Sequence, residues 1–359
     1  MSDDRQTGSV SPATLTVSLE ASPGQEWDAF VEAAPHGSFC HLSGWHDVMA
    51  DVMGRRPHFL AARDTEGALA GVLPLVEVKS LLFGHYLVSM PYLNYGGPLG
   101  ETGARQVLGR AAVETARERG VDLLELRSRS LAGDDAPAEG LTLNRRKVTV
   151  VLALPSESET LWEDGLRSKV RSQVRRPMKA GLEVRFGPGE VDAFYRVFEC
   201  HMRDLGTPVL PRRLFQVLPD VFGDRVRFAV VYRDGAPVAG GCGFRFGGEF
   251  EMTWASSLRE HSRVAPNMLL YWGMMERAIE EGAEAFNFGR CTPGEGTHRF
   301  KLQWGGEDEP LDWTVWSPGG ALATPNPDQA RYGLAVRLWQ RIPVPAARVL
   351  GPPLARRIP

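Results

Sequence analysis

Asn287-Phe288-Gly289-Arg290 is followed, after a short gap, by Gly296-Thr297-His298-Arg299-Phe300-Lys301-Leu302-Gln303-Trp304-Gly305-Gly306. Lys301 stands just before a Trp-Gly-Gly turn, where a backbone without Cβ atoms lets a ligand approach closely. A fixed positive donor in a dry site stabilises a developing oxyanion or holds a bound anion. The sequence has no Gly-x-Ser-x-Gly elbow and no recognisable Cys/His pair.

A second cationic feature lies upstream. Residues 167–179 hold six basic side chains and no acid. Arg167, Arg171, Arg175 and Lys179 recur every four residues and share one helical face, with Lys169 beside them. A solvated face usually alternates its charges, so an anionic partner fits this one: pyrophosphate, a lipid-linked phosphate or a tRNA backbone. Pro177 is expected to kink or end that helix. In the first half, 91–98 is a Pro/Gly-rich loop carrying Asn94 and Tyr95, readable as lining for an acceptor cleft or as a packed loop. Trp254 ends a central strand where a splayed sheet admits ligands, although tryptophan there is more often core. Glu249 and Glu251 alternate on that strand and are candidates for a general base, set against the frequency of exposed strand carboxylates.

The elements that must carry these residues alternate. Strands are expected at 14–19, 58–63, 68–78 and 121–126, with helices at 26–34, 44–53 and 104–119, the last stopped by Gly120. In the second half, helices are expected at 161–180, 191–205 and 268–281, with strands at 226–232, 236–246, 249–255 and 285–288. The halves repeat one another. Ala116-Arg117-Glu118-Arg119-Gly120 before 121–126 matches Ala278-Ile279-Glu280-Glu281-Gly282 before 283–288. Each is a helix, a glycine stop and a short strand, as a strand–helix–strand crossover requires. The hairpins at 59–63 and 228–232 recur in the same order.

The basic helix ending in Lys179-Ala180-Gly181, the Asn287–Arg290 segment and the Gly296–Gly306 segment together resemble the FemAB family. The likeness is nearest to its branch associated with exosortase/PEP-CTERM exopolysaccharide systems. The resemblance implies an α/β fold of tandem duplicated GNAT-like domains, divided as 12–154, 155–320 and a basic, Pro-rich amphipathic tail at 321–359. It implies transfer of an acyl or aminoacyl group onto a peptidoglycan or exopolysaccharide precursor. It also implies that Lys301 stabilises the oxyanion or the tRNA end, that Phe300 packs beside the donor, and that Arg171 holds an acceptor anion. Arg175, Lys169, Arg290, Trp304, Trp254, Asn94 and Tyr95 complete the expected substrate contacts. No bound cofactor is expected; the donor is a co-substrate, aminoacyl-tRNA or acyl-CoA. The stretch 259–267 has no glycine, unlike the Gly-rich pyrophosphate loop of acetyl-CoA enzymes, and this weighs against acyl-CoA. No insertion carries the heptads of a coiled-coil arm, which removes one reason for assuming a tRNA donor.

The whole chain sets further bounds. Its 359 residues favour two domains, and 43% hydrophobic with 24% charged residues is ordinary for a globular protein. A net charge of −3 gives no global attraction to nucleic acid or anionic lipid. Four scattered cysteines without CxxC pairing fit free thiols in a cytosol, and no metal-ligand spacing is seen. The polar N-terminus does not read as a signal peptide, and no apolar run is long enough to span a bilayer. A cytoplasmic protein is expected. After Asp328 come six arginines and no acid, interleaved with Leu334, Val336, Leu338, Trp339, Ile342, Val349 and Leu350, as in a segment resting on the inner membrane. Pro343, Pro345, Pro352 and Pro353 are expected to break it into short pieces. Packing of that tail on the body is the alternative. Two other functions fit the same residues: acyl-CoA-dependent N-acylation of an amino sugar, or a non-catalytic scaffold of exopolysaccharide machinery. The first half, ending its crossover in Glu125-Leu126-Arg127-Ser128, is expected to be the less catalytic one.

Overall fold

The computed structural model describes residues 15–80, 84–129, 136–320 and 330–358. The expected domain start at residue 12 and the stretch 321–329 lie outside them. Chain order begins with β1 (Thr16–Glu20), α1 (Gln25–Ala33), α2 (Gly44–Asp47), β2 (Arg56–Arg63) and β3 (Leu69–Ser80). It continues through β4 (Gly84–Ser89), β5 (Leu99–Gly100), α3 (Thr102–Arg119), β6 (Leu123–Arg129), β7 (Thr142–Asn144) and β8 (Val148–Ala153). The second half has α4 (Ser158–Thr160), α5 (Ser168–Lys179), β9 (Glu183–Phe186), α6 (Val191–Leu205), α7 (Arg212–Phe222), β10 (Val226–Arg233) and β11 (Ala236–Phe246). Then come β12 (Glu249–Ser257), α8 (Pro266–Glu280), β13 (Ala285–Cys291), α9 (Gly296–Leu302), β14 (Glu307–Trp316), α10 (Ala330–Trp339) and α11 (Val344–Ala355).

The duplication read from the sequence is present in space. In the first half α3 carries the chain from β4 to a parallel β6, with Tyr86↔Leu123, Leu87↔Leu124 and Val88↔Glu125 in register. In the second, α8 carries it from β12 to a parallel β13, with Glu249↔Ala285, Phe250↔Phe286 and Glu251↔Asn287. Counted from Gly120 and Gly282, the two registers coincide. Ala104, Leu108, Ala112 and Ala116 give α3 one buried face, and Gly120 closes it at φ 62°. That conformation favours glycine. In both halves the parallel pairing stops after three pairs and the strands part.

The halves are not side by side as separate sheets. The strand order is β1-β2-β3-β4-β6-β14-β8-β13-β12-β11-β10-β9, with β5 on β3 and β7 on β14. β8, which closes the first half in sequence, pairs with β13 of the second. β14, which closes the second half, pairs through Leu311–Trp316 with β6 of the first and through Glu307–Pro310 with β8. Each half therefore takes its last strand from the other. The main hydrophobic core also crosses between them. Phe39 stacks on Phe244 at 4.2 Å, and Trp45 meets Phe222 at 4.7 Å.

Three local expectations change. The helix foreseen over 161–180 is interrupted: a π-helical turn at Leu161–Gly165 ends at extended Leu166, and α5 starts afresh. Arg171 fixes the break by donating from Nη1 to the carbonyls of Trp162, Glu163 and Leu166. Pro177 does not split α5: it is buried two residues before the last helical residue, Lys179. In the tail, Pro352 and Pro353 lie inside α11, and the break between helices falls at 340–343.

The exchange makes a specific demand on stability. A fragment ending at residue 154 lacks the partner of β6, and one starting at 155 lacks a partner of β13. Either alone is expected to show no cooperative thermal transition by circular dichroism, whereas co-expression restores one. A sharp melt from either fragment by itself would show that the exchanged strands are dispensable.

Candidate active site

The opening begins where β12 and β13 part, after the Glu251↔Asn287 pair. Pairing up to that point orients Glu251 inward, and it is only 2% exposed. The first half fills the space opposite. Asn94, from the 91–98 loop, donates from Nδ2 to Glu251 Oε1 at 2.7 Å, and Thr253 Oγ1 donates to the same oxygen at 3.2 Å. Oε2 of Glu251 is buried without a partner. Burial, and secondarily the charge of Glu249, push the Glu251 carboxyl up to about 7, against the hydrogen bond from Asn94. A carboxylate so poised is suited to accept a proton near neutral pH.

A polar lattice holds this junction. Tyr95 Oη donates to Thr149 Oγ1 at 3.1 Å, Thr149 Oγ1 to Asn287 Oδ1 at 2.5 Å, and Asn287 Nδ2 to Tyr95 Oη at 2.8 Å. Asn287 Nδ2 also reaches Glu249 Oε1 at 3.0 Å, and the Gly289 N–H donates to Asn287 Oδ1 at 2.8 Å. Arg129, at the end of β6, bridges Glu249 of β12 and Glu309 of β14. Three strands from two halves thus meet on one guanidinium.

Lys301 closes the far side. It is buried on the short α9, and its Nζ donates to Gly289 O at 2.5 Å and Arg290 O at 2.9 Å. An ammonium has three donors, so one N–H remains. Burial lowers its pKa to about 8. Gly289 joins the two groups: at φ 71° it places its backbone so that a Cβ would come within 3.0 Å of Asn94 Nδ2. Glu251, Asn94, Gly289 and Lys301 therefore form a continuous chain of contacts. Arg290 follows on, its guanidinium 4.9 Å from the Trp313 ring, which Arg127 faces at the same distance. Arg290 has no ion-pair partner among the described residues, and burial brings it down to about 10.

The sequence-selected residues separate into two groups. Asn94, Tyr95, Arg290 and Lys301 converge on the opening, and Trp254 lies further along β12, edge-on to Phe215 at 5.2 Å. Arg171, Arg175 and Lys169 sit on α5, which packs against α8. Arg171 is occupied with the carbonyls before its helix, Arg175 lies over Trp162 at 5.1 Å, and Lys169 is exposed. Phe300 packs edge-on to Tyr271 at 5.1 Å, and Trp304 is fully buried in the core. Trp304 therefore supports α9 from within and has no surface for a ligand. Arg129 and Thr149 belong to the junction and were not singled out. Their signal was slight: a cation at a strand end and a hydroxyl in a valine run.

The match to known proteins agrees with this geometry. Residues 165–302 match the acetyltransferase (GNAT) domain family, which places that likeness in the second half. A UDP-N-acetylmuramoylpentapeptide-lysine N(6)-alanyltransferase from Weissella viridescens is 25% identical over 125 residues, covering 34% of this chain and 37% of that protein. The chain thus aligns with little more than a third of that relative's length. Among solved structures, FemX superposes with a TM-score of 0.64 at 16% identity, covering 84% of this chain and 97% of that one. A domain described as the C-terminal part of a lysylphosphatidylglycerol synthetase from Agrobacterium fabrum gives a TM-score of 0.55 at 16% identity, covering 76% and 87%. The tandem GNAT fold is shared along most of the chain, and these matches support a FemAB-like place for it.

The buried carboxyl sets a pH dependence whose sign is fixed. Its folded pKa of about 7 lies above the ordinary 4.5, so the fold holds the proton more tightly than the open chain. The associated stability is present below pH 4.5 and is lost as pH rises toward 7. Glu251→Gln is expected to raise the unfolding free energy at pH 8 by at most ~3 kcal/mol and to leave it nearly unchanged at pH 4.5. Urea denaturation at both values tests this; equal effects at the two would mean the carboxylate is solvated or paired.

Proposed function

We propose that the chain is an acyltransferase that forms an amide on an amine of a cell-envelope precursor, with an aminoacyl-tRNA ester as donor. The observation that carries this reading is the opening between β12 and β13, with Glu251 on one side and Lys301 on the other. The acceptor amine attacks the donor carbonyl, and Lys301 offers its remaining N–H to the oxyanion that develops. Glu251 receives the proton released by the amine, and it passes to the leaving ribose oxygen as the ester C–O bond breaks. Arg290, without an ion-pair partner among the described residues, is suited to an anionic group of either substrate. Whether that precursor is peptidoglycan or exopolysaccharide follows from motif resemblance, which favours the exopolysaccharide setting. We place the reaction at the cytoplasmic side of the inner membrane, where lipid-linked precursors present their head groups.

Aminoacyl-tRNA is favoured over acyl-CoA by the segment entering α8. Arg259–Val264 is a 3-10 helix, and the His261 and Ala265 N–H groups bond to Leu258 O and Ser262 O. Pro266 then opens α8 without an N–H. A diphosphate finds fewer free backbone donors there than at a glycine-rich turn.

With alanyl-tRNA and an amine-bearing precursor, kcat/KM is expected to rise through pH 7 and fall above about 8, as Glu251 must be ionised and Lys301 charged. Glu251→Gln is expected to remove the acid limb, and Lys301→Ala to lower kcat by about 10²- to 10³-fold. Transfer from acetyl-CoA but not from alanyl-tRNA would favour sugar N-acylation, and no transfer from either would favour a scaffold.

A further inference from the structure

The C-terminal helices are held to the body by their small and backbone groups, which leaves their large apolar side chains outside. Ala347, Gly351 and Ala355 recur every four residues and are buried on the inner face of α11. Gly351 lies so near Val209 that a Cβ would meet its backbone nitrogen at 2.9 Å. Arg348 pairs with the buried Glu199 on α6, Arg203 donates to Ile342 O at 3.0 Å, and Tyr92 Oη donates to Arg356 O at 2.6 Å. In α10, Val336 packs over Gly206 at the end of α6. The docking is specific at both ends of the tail.

The outer face has the opposite character. Leu334 and Leu338, four apart on α10, are 58% and 56% exposed, and Val349 and Leu350 on α11 are 70% and 53% exposed. On helical spacing these positions point away from Val336 and from the Ala347–Ala355 face. Exposed Arg337, Arg341 and Arg357 accompany them, none with an ion-pair partner among the described residues. The nearby acids are neutralised: Glu199 by Arg348 and Asp204 by Arg203. No acid follows Asp328 in the chain.

We infer that this outer face of α10 and α11 is a docking surface for an anionic lipid bilayer. Leucine and valine enter the acyl boundary while the arginines meet lipid phosphates, the arrangement of an interfacial amphipathic segment. An uncharged protein partner would match the apolar groups but leave three cations unanswered, which is why a lipid surface fits better. The inference deepens the membrane placement proposed above, yet its test needs no catalysis.

The full chain should be floated with vesicles of phosphatidylcholine alone and of phosphatidylcholine mixed with phosphatidylglycerol. Binding to the anionic vesicles only, weakened by salt, is expected. The triple variant Arg337→Ala/Arg341→Ala/Arg357→Ala should bind about 100-fold more weakly, each cation contributing roughly fivefold. Leu338→Glu/Val349→Glu, at exposed positions and with an unchanged circular dichroism spectrum, should abolish binding while preserving transfer to a soluble acceptor. Equal binding to both vesicles, or variants that bind as tightly as wild type, would overturn the inference. So would a wild-type dimer that Leu338→Glu converts to monomer, since a second copy would then own the face. If vesicle binding holds but no acyl transfer is found, the surface stands and only the enzymatic reading falls.

Discussion

The exchange of final strands is the constraint on which the rest of the molecule depends. A GNAT-like half needs an antiparallel neighbour for the strand that leaves its crossover, because that strand would otherwise present an unpaired edge. Here β6 finds that neighbour in β14 and β13 finds it in β8, so neither half can complete its sheet alone. The consequence is a fixed relation between the halves. Asn94 and Glu251 are 157 positions apart in the chain, yet they meet at hydrogen-bond distance. A hinge between the halves would not hold a contact of that length.

That rigidity bears on the charges it encloses. A carboxylate with a partnerless buried oxygen is costly, and an ammonium held on two carbonyls is little better. The structure meets the cost in different ways. Glu249 shares Arg129 with Glu309, which spreads one cation over two acids at a place where three strands meet. Glu251 is fully buried with only neutral donors in contact, and burial, helped by the charge of Glu249, raises its proton affinity against the hydrogen bond from Asn94. Two carboxyls two residues apart on one strand thereby meet different surroundings: Glu249 is held in an ion pair with Arg129, and Glu251 is buried without a cation in contact.

Much of this was legible in the residues, and what was not has physical reasons. The helix, glycine stop and short strand were readable twice because Gly120 and Gly282 both adopt positive φ, a requirement local to a few residues. Arg290 and Lys301 were picked out by family resemblance and Asn94 by its loop, and only the structure brings the three to one region. For Glu251 the sequence left a general base and an exposed strand carboxylate both open, since alternation on a strand does not say which face a loop 157 residues away will cover. The exchange was equally hidden. Val148–Ala153 reads as an apolar strand in either sheet, and only its pairing with β13 decides. The local contacts of the basic face of α5 were hidden for a similar reason. Arg171 satisfies carbonyls orphaned by the break at Leu166, so its charge serves a local helix start before any ligand.

The two cationic features of the second half thus differ in kind. On α5 the arginines flank Trp162 and backbone carbonyls, contacts that an incoming phosphate would have to compete with. At the opening, Arg290 lies over an aromatic ring and has no ion-pair partner among the described residues, so an anion arriving there breaks no salt bridge. Binding energy is the difference between the pairing gained and the pairing given up. By that measure Arg290, between the halves, offers an anion more than the α5 face does. In the function we propose, a tRNA-borne donor would meet the exposed α5 cations weakly with its backbone and present its ester to the opening.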